Sequence, residues 1–281
     1  MKFAFKSITA VAALVSATAA IATPYAGGWE LASGTGGLTF STDALSALSA
    51  SSSNVVTVGT VPTIAGLNIS GATNTAAYTK ATGNVSLAFN TATITGDTLN
   101  SLQAANSFVN IRRTIVNDDD TTTQYNIFMA NFDVNLSNST IYADLYSRTG
   151  TGTLVSYGKQ AIFKSDVPGV VGGTGGNIQV TAIPGDGTVV GEASGSLAGS
   201  LRMNGGTANI ILADLGLSTS ATDPVAILVR TANWGTTQAA GVFRVACMDC
   251  VPPTPEPSTY AMFGMGLLGL GLAARRRGKT A

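Results

Sequence analysis

The sequence predicts an all-β fold, a mainly antiparallel sandwich or barrel-like domain, with a cleavable N-terminal signal helix before it and a C-terminal transmembrane helix after it. Three observations carry that prediction. Apolar and polar residues alternate with period two again and again between residues 28 and 246, as in Phe132-Asp133-Val134-Asn135-Leu136, and a strand turns successive side chains to opposite faces. Charged residues are only 11% of the 281, while Ser and Thr fill about a fifth of positions and Gly takes 33. Helix surfaces normally carry far more Glu, Lys, Arg and Gln. Finally, each end holds an uncharged, apolar run bordered by Lys or Arg.

Residues 1–22 read as a secretory signal peptide. Lys2 and Lys6 give a positive start, Ile8 to Ala20 an apolar stretch too short to span a bilayer comfortably, and Ala20-Ile21-Ala22 the small residues a signal peptidase inspects. Cleavage is expected between Ala22 and Thr23, with Ala19 as the second choice. Residues 23–247 then form the β-rich extracellular domain. Ser41 or Thr42 caps an early helix with Asp43 in its first turn and Leu45 and Leu48 pointing inward. Ser107 to Val116 and Thr123 to Ala130 flank the turn Asn117-Asp118-Asp119-Asp120. A second hairpin turns at Asn138-Ser139, so an antiparallel meander covers about residues 107 to 147. Further strands are expected near 55–60, 84–95, 153–164, 177–183, 187–203, 225–231 and 240–247. Asn209 to Leu217 fits a strand or a short helix. No fixed-period repeat points to a propeller or solenoid.

Residues 248–257 are a Cys/Pro-rich linker that continues neither strand nor helix. Ser258 to Ala274 then run without a charge, near the lower limit for a transmembrane helix. Arg275, Arg276 and Arg277 stop translocation and hold residues 258–281, the helix and its tail, with the Arg cluster in the cytoplasm.

Composition excludes several classes. The formal charge is zero, but six of the 15 basic residues (Lys2, Lys6, Arg275, Arg276, Arg277, Lys279) lie in the two end segments, leaving nine against 15 acidic residues, a net of −6. That surface repels phosphate backbones, so no nucleic acid is expected as a partner. The chain has no histidine, which removes Ser-His-Asp and Cys-His catalysis and His-ligated zinc. No cofactor and no metal site are expected.

Pro255-Glu256-Pro257, a short Gly/Leu-rich helix and an Arg cluster, in that order, closely resemble the PEP-CTERM sorting domain over about residues 255 to 280. That resemblance implies an exosortase-type processing enzyme as partner in a Gram-negative bacterium that makes exopolysaccharide. With the signal peptide it implies use of the general secretion machinery and signal peptidase. A transient stay in the inner membrane and a final place at the cell surface or outside follow from it. A weaker resemblance covers the body. The Gly36 to Phe40 strand, the Thr-Asp-Ala-Leu-Ser-Ala-Leu helix and the later Asn-Phe-Asp-Val-Asn-Leu run are similar to β-rich bodies of PEP-CTERM proteins and to HtaA-type haem-binding domains. The latter are understood to use tyrosine with histidine, so here the likeness implies scaffold and no haem.

Candidate chemistry is sparse. Cys247 and Cys250 form a CxxC that oxidising conditions close as a local disulfide. Redox catalysis would want the first cysteine at a helix N-terminus, and zinc would need two more ligands. Asp118 to Asp120 lack the alternation and glycine of a calcium loop. Thr91, Thr93 and Thr95 share a strand face, and Tyr142, Tyr146, Tyr125, Tyr157, Trp29 and Trp234 are candidates for stacking on sugar rings. Asp133 and Asp144 are the carboxylate pair a secreted hydrolase would use. The expectation is a non-enzymatic surface or extracellular-matrix protein with no catalytic residues, associating with exopolysaccharide or other surface proteins. The alternatives are a ligand-binding module for a glycan or metal and, last, that hydrolase.

Overall fold

The computed structural model of the chain describes residues 28–56 and 58–247. The expected cleavage site at Ala22–Thr23, Cys250, the motif at Pro255 to Pro257, the span Ser258 to Ala274 and the cluster Arg275 to Arg277 lie outside those residues. Among the described residues, no helix is long and apolar enough to cross a membrane.

The alternation becomes fourteen strands and three helices among the described residues. In chain order they open with β1 (Glu30–Thr39), α1 (Thr42–Ala50), β2 (Ser53–Val56), β3 (Ala76–Thr79), β4 (Asn84–Phe89) and β5 (Thr91–Thr95). The central meander follows: β6 (Thr98–Val116), β7 (Thr122–Asn135), β8 (Thr140–Thr149) and β9 (Val155–Ser165). Then come β10 (Val170–Val171), β11 (Gln179–Ala182), β12 (Thr188–Leu197), β13 (Leu201–Met203), α2 (Gly205–Asp214), α3 (Pro224–Thr231) and β14 (Thr236–Ala246).

Two seven-stranded sheets result. The first runs β10-β12-β14-β1-β4-β3 with β11 also on β12, and the second runs β13-β9-β8-β7-β6-β2 with β5 also on β6. Every pairing between these strands is antiparallel. The second sheet is built around four consecutive hairpins, β5 to β9, which short turns supply directly, with β2 and β13 added at its edges. The first gathers strands distant in sequence, so β1 lies between β4 and β14. Leu38, Phe89 and Phe243 of the first sheet and Leu102, Ile127 and Leu145 of the second belong to one buried cluster. Trp234 lies inside it, its ring 5.4 Å from that of Phe163 and 6.3 Å from that of Phe40.

The structure corrects several boundaries. The expected strands 84–95 and 187–203 are each two strands with a corner between them, because the chain changes sheets at Asn90 and near Gly199. Asn90 holds its corner by donating its backbone N–H to the Gln103 carbonyl at 3.0 Å and accepting from the Ala105 N–H at 3.1 Å. Gly199 turns with φ of 73°, where an added Cβ would lie 2.2 Å from Asp166 Oδ1. The expected strand 225–231 is helix α3. Asp223 accepts from the Ala226 N–H at 2.9 Å and Pro224 starts the helix, so a cap and a first-turn proline outweigh the β-branched Val225, Ile227 and Val229. The segment 209–217 falls mostly in helix α2, capped by Asn204. In α1, Ser41 is the cap as expected, but Leu45 is 39% exposed and Ala44, Ala47 and Leu48 face the core. One turn of helix offers Ala47 and Leu48 a shared inward face with Ala44, and Leu45 lies off it.

Candidate functional site

The two sheets expose unlike outer faces. On the first, β1, β4, β12 and β14 send their apolar residues inward and present Thr35, Asn84, Ser86, Ser194, Ser196 and Gln238 outward, around a groove of about 510 Å³. Register places these side chains together: Gly37 pairs with both Ser86 and Gln238, and Thr35 pairs with Ala88 and Ala240. Residues 171–173 form one wall. That wall is tied down at Thr174, whose N–H donates to the Ser194 carbonyl at 3.1 Å and whose hydroxyl accepts from the Ser194 N–H at 2.9 Å. At Gly173 (φ 52°) an added Cβ would lie 2.2 Å from Ser194 Oγ, so only glycine allows the wall to sit so close. A smaller hollow of about 170 Å³ continues past Ser33, Thr174 and Glu192. The polar groups are hydroxyls and amides set among glycine, alanine and valine, and Glu192 is the one carboxylate lining either hollow. Such a lining hydrogen-bonds a neutral polar ligand and holds no acid–base pair.

The outer face of the second sheet is used differently. Its upper part carries Phe108, Phe128, Ala130 and Tyr146, and residues 58–73 fold over them with Val61, Leu67 and Ile69 to make a second small core. The Phe108 and Phe128 rings stack at 5.4 Å. Burial, followed by the charge of Asp144, pushes the Tyr146 hydroxyl above its ordinary pKa. Below that core lies a polar cluster. Asp133 is buried, and one of its oxygens is ion-paired to Lys159 while the other, Oδ1, has no hydrogen-bond partner. Asp144 accepts from the side-chain amides of Asn131 at 2.9 Å and Asn68 at 3.2 Å. Lys159 Nζ sits 5.6 Å from the centre of the Tyr142 ring, a cation–π distance. The structure thus brings Asp133 and Asp144 to one face, with Asp133 held by a cation and Asp144 by two amides.

The remaining expected sites separate. Asp119 accepts from both the N–H and the hydroxyl of Thr121, and those bonds lower its carboxyl pKa. Asp119 is thereby satisfied within the hairpin tip itself. Among the described residues, no group of three or more His, Cys, Asp or Glu is placed to hold a metal. Trp29 and Trp234 are core residues, 5% and 2% exposed, with indole N–H groups on Asp97 and the Val229 carbonyl. Tyr125, Tyr142 and Tyr157 are half-buried and Tyr146 buried, so no aromatic among the described residues offers an exposed stacking platform. Cys247 is buried, disulfide-bonded, and donates its N–H to the Gly187 carbonyl at 2.8 Å. The groove itself was not legible in advance. Its residues are ordinary outward positions of four strands, and only the order of those strands makes them neighbours.

Comparison with known proteins locates the signal that the body lacks. No curated protein matches the chain. Among solved structures, the C-terminal domain of HtaA from Corynebacterium glutamicum aligns over 77% of this chain and 99% of that domain, at 10% identity and a TM-score of 0.32. A likeness of that size carries no argument about ligand. The family model of the PEP-CTERM protein-sorting motif matches residues 253–277, which include Pro255-Glu256-Pro257 and Arg275 to Arg277. The chain carries a PEP-CTERM protein-sorting motif, which implies an exported protein sorted by an exosortase to the cell surface or the exterior.

Proposed function

We propose that this is a non-enzymatic surface or extracellular-matrix protein whose β-rich body associates with neutral exopolysaccharide through the outer face of the first sheet. The observation that carries the reading is the groove of about 510 Å³ lined by Thr35, Ser86, Ser194, Ser196 and Gln238. Polysaccharide chains offer the hydroxyls that such donors and acceptors match, and a polymer repeats its sugars, so weak sites add up by avidity. With no exposed stacking aromatic on the described surface, single-site affinity is low. In this reading the tail lodges Ser258 to Ala274 in the inner membrane until the exosortase releases the body. Export precedes binding, so two tests are separable. Deleting residues 253–281 should leave the protein off the cell surface, as read by fractionation of the host. An unchanged destination contradicts the sorting role. Ser86→Arg together with Gln238→Ala should reduce cosedimentation with the host's exopolysaccharide several-fold, while the surface location stays as it was. Unchanged cosedimentation removes the groove from the account.

A further inference from the structure

We propose that Lys159 and Asp133 condense to an isopeptide bond, so that the middle of the second sheet is covalently braced. Four side chains meet on its outer face. Asp133 pairs directly with Tyr142 and Asp144 with Lys159 across β7, β8 and β9, and alternation along β8 keeps Tyr142 and Asp144 on the same side. Lys159 reaches over β8 to place Nζ against Asp133 Oδ2, so amine and carboxyl already stand in contact. The Asp133 side chain is 9% exposed and its Oδ1 has no partner. An ion pair with one oxygen left bare is the expensive arrangement in so dry a place, and the amide that replaces it carries no charge. The Tyr142 ring flanks Lys159 Nζ, whose side chain is half exposed, leaving a path for the released water.

The step balances without any added reagent. A proton passes from the Lys159 ammonium to the Asp133 carboxylate, leaving an amine beside a carboxylic acid. The amine lone pair adds to Asp133 Cγ. Nitrogen then loses a second proton to Asp144, which returns it to the departing hydroxyl, and the C–O bond breaks as water leaves. Asp144 ends as it began. Asp144 stands directly opposite Lys159 in the register of β8 and β9, where paired Cβ atoms are about 5 Å apart. Its Oδ2 is held by the Asn131 and Asn68 amides, so the relay requires its Oδ1 to turn toward Lys159 Nζ. The bond joins two strands that are not neighbours, over a third, and resists shear of the meander from outside. It makes no use of the groove, so it stands or falls separately.

The mass of the mature protein recovered from its host, measured denatured, decides the matter. One water is lost, so the mass should lie about 18 Da below that of the disulfide-bonded chain. Digestion should yield one branched peptide joining the segment with Asp133 to the segment with Lys159. A full mass overturns the proposal, and so does a water loss that maps to Asp186-Gly187, where an aspartate can cyclise alone. Asp133→Asn should change the loss to about 17 Da, since ammonia leaves instead. Lys159→Arg should abolish it. Asp144→Ala should abolish it too, with an unchanged far-UV circular dichroism spectrum, and a bond that still forms in that variant removes Asp144 from the relay. The wild-type reading needs no variant to fold.

Discussion

The outer faces of the two sheets are built from the same alternating strands and end in opposite conditions. On the second sheet the outward positions include Phe108, Phe128 and Tyr146, and the chain covers them itself with residues 58–73. Below that cover, Asp133, Lys159 and Asp144 satisfy most of their polar needs among their neighbours. Around the groove of the first sheet the outward positions are mainly Ser, Thr, Asn, Gln and Ala, which need no cover, and the face stands open to solvent beside the 171–173 wall. The difference teaches that one face is covered and spent on stability, while the other stays open and is the face we propose for contact. Substitutions should therefore behave differently on the two sides.

The largest effect is expected on the closed face. Phe128→Ala removes a buried ring that stacks on Phe108, and a loss of about 3–5 kcal/mol in urea denaturation should follow. A loss under about 1 kcal/mol, the size of an ordinary surface change, would mean that the 58–73 cover is dispensable. Lys159→Met comes next. It removes the Lys159 partner of Asp133, whether held as ion pair or as the proposed amide, and leaves that buried carboxylate alone. Because Lys159 is half exposed, a cost of at least about 1–3 kcal/mol is expected. Ser86→Ala and Gln238→Ala on the open face should cost less than about 0.5 kcal/mol each while weakening cosedimentation with exopolysaccharide.

A pH experiment gives the smallest effect. Tyr157 donates to Asp214 Oδ2 at 2.5 Å. Burial, then the Asp214 hydrogen bond, raises its pKa above 10.0. A raised folded-state value means the stabilisation is whole below the unfolded pKa near 10 and is lost as pH climbs through the folded one. Thermal unfolding should therefore show a falling alkaline limb above about pH 10, shallower in Tyr157→Phe. Equal slopes would show that the Tyr157–Asp214 bond does not couple to stability.

Local signals in the sequence translated well. Ser41 caps α1, and the turns at 117–121 and at Ser139 close hairpins, because caps and turns depend on a few adjacent residues. Long-range facts did not. Nothing near Asn90 or Gly199 announces a change of sheet, since a corner is defined by partners far away in the chain. Val225, Ile227 and Val229 alternate like a strand, and the helix signal lay just ahead in Asp223-Pro224. Asp133 and Lys159 are 26 positions apart, and their contact depends on how β7 and β9 register against β8. The groove is the extreme case, drawn from four strands spread between residues 33 and 242. The sorting motif was fully legible, because its parts are consecutive and are read by composition and order.

The division of labour between the two faces is tested most directly by cosedimentation of the mature protein with its host's exopolysaccharide. Three forms should be compared at equal concentration: wild type, Ser86→Arg with Gln238→Ala on the first sheet, and Asn138→Ala on the second. Wild type and Asn138→Ala should pellet alike with the polymer, and the double variant should stay largely in solution. If the double variant pellets with the polymer as wild type does, or if Asn138→Ala alone loses binding, the open face is not the surface that meets the matrix.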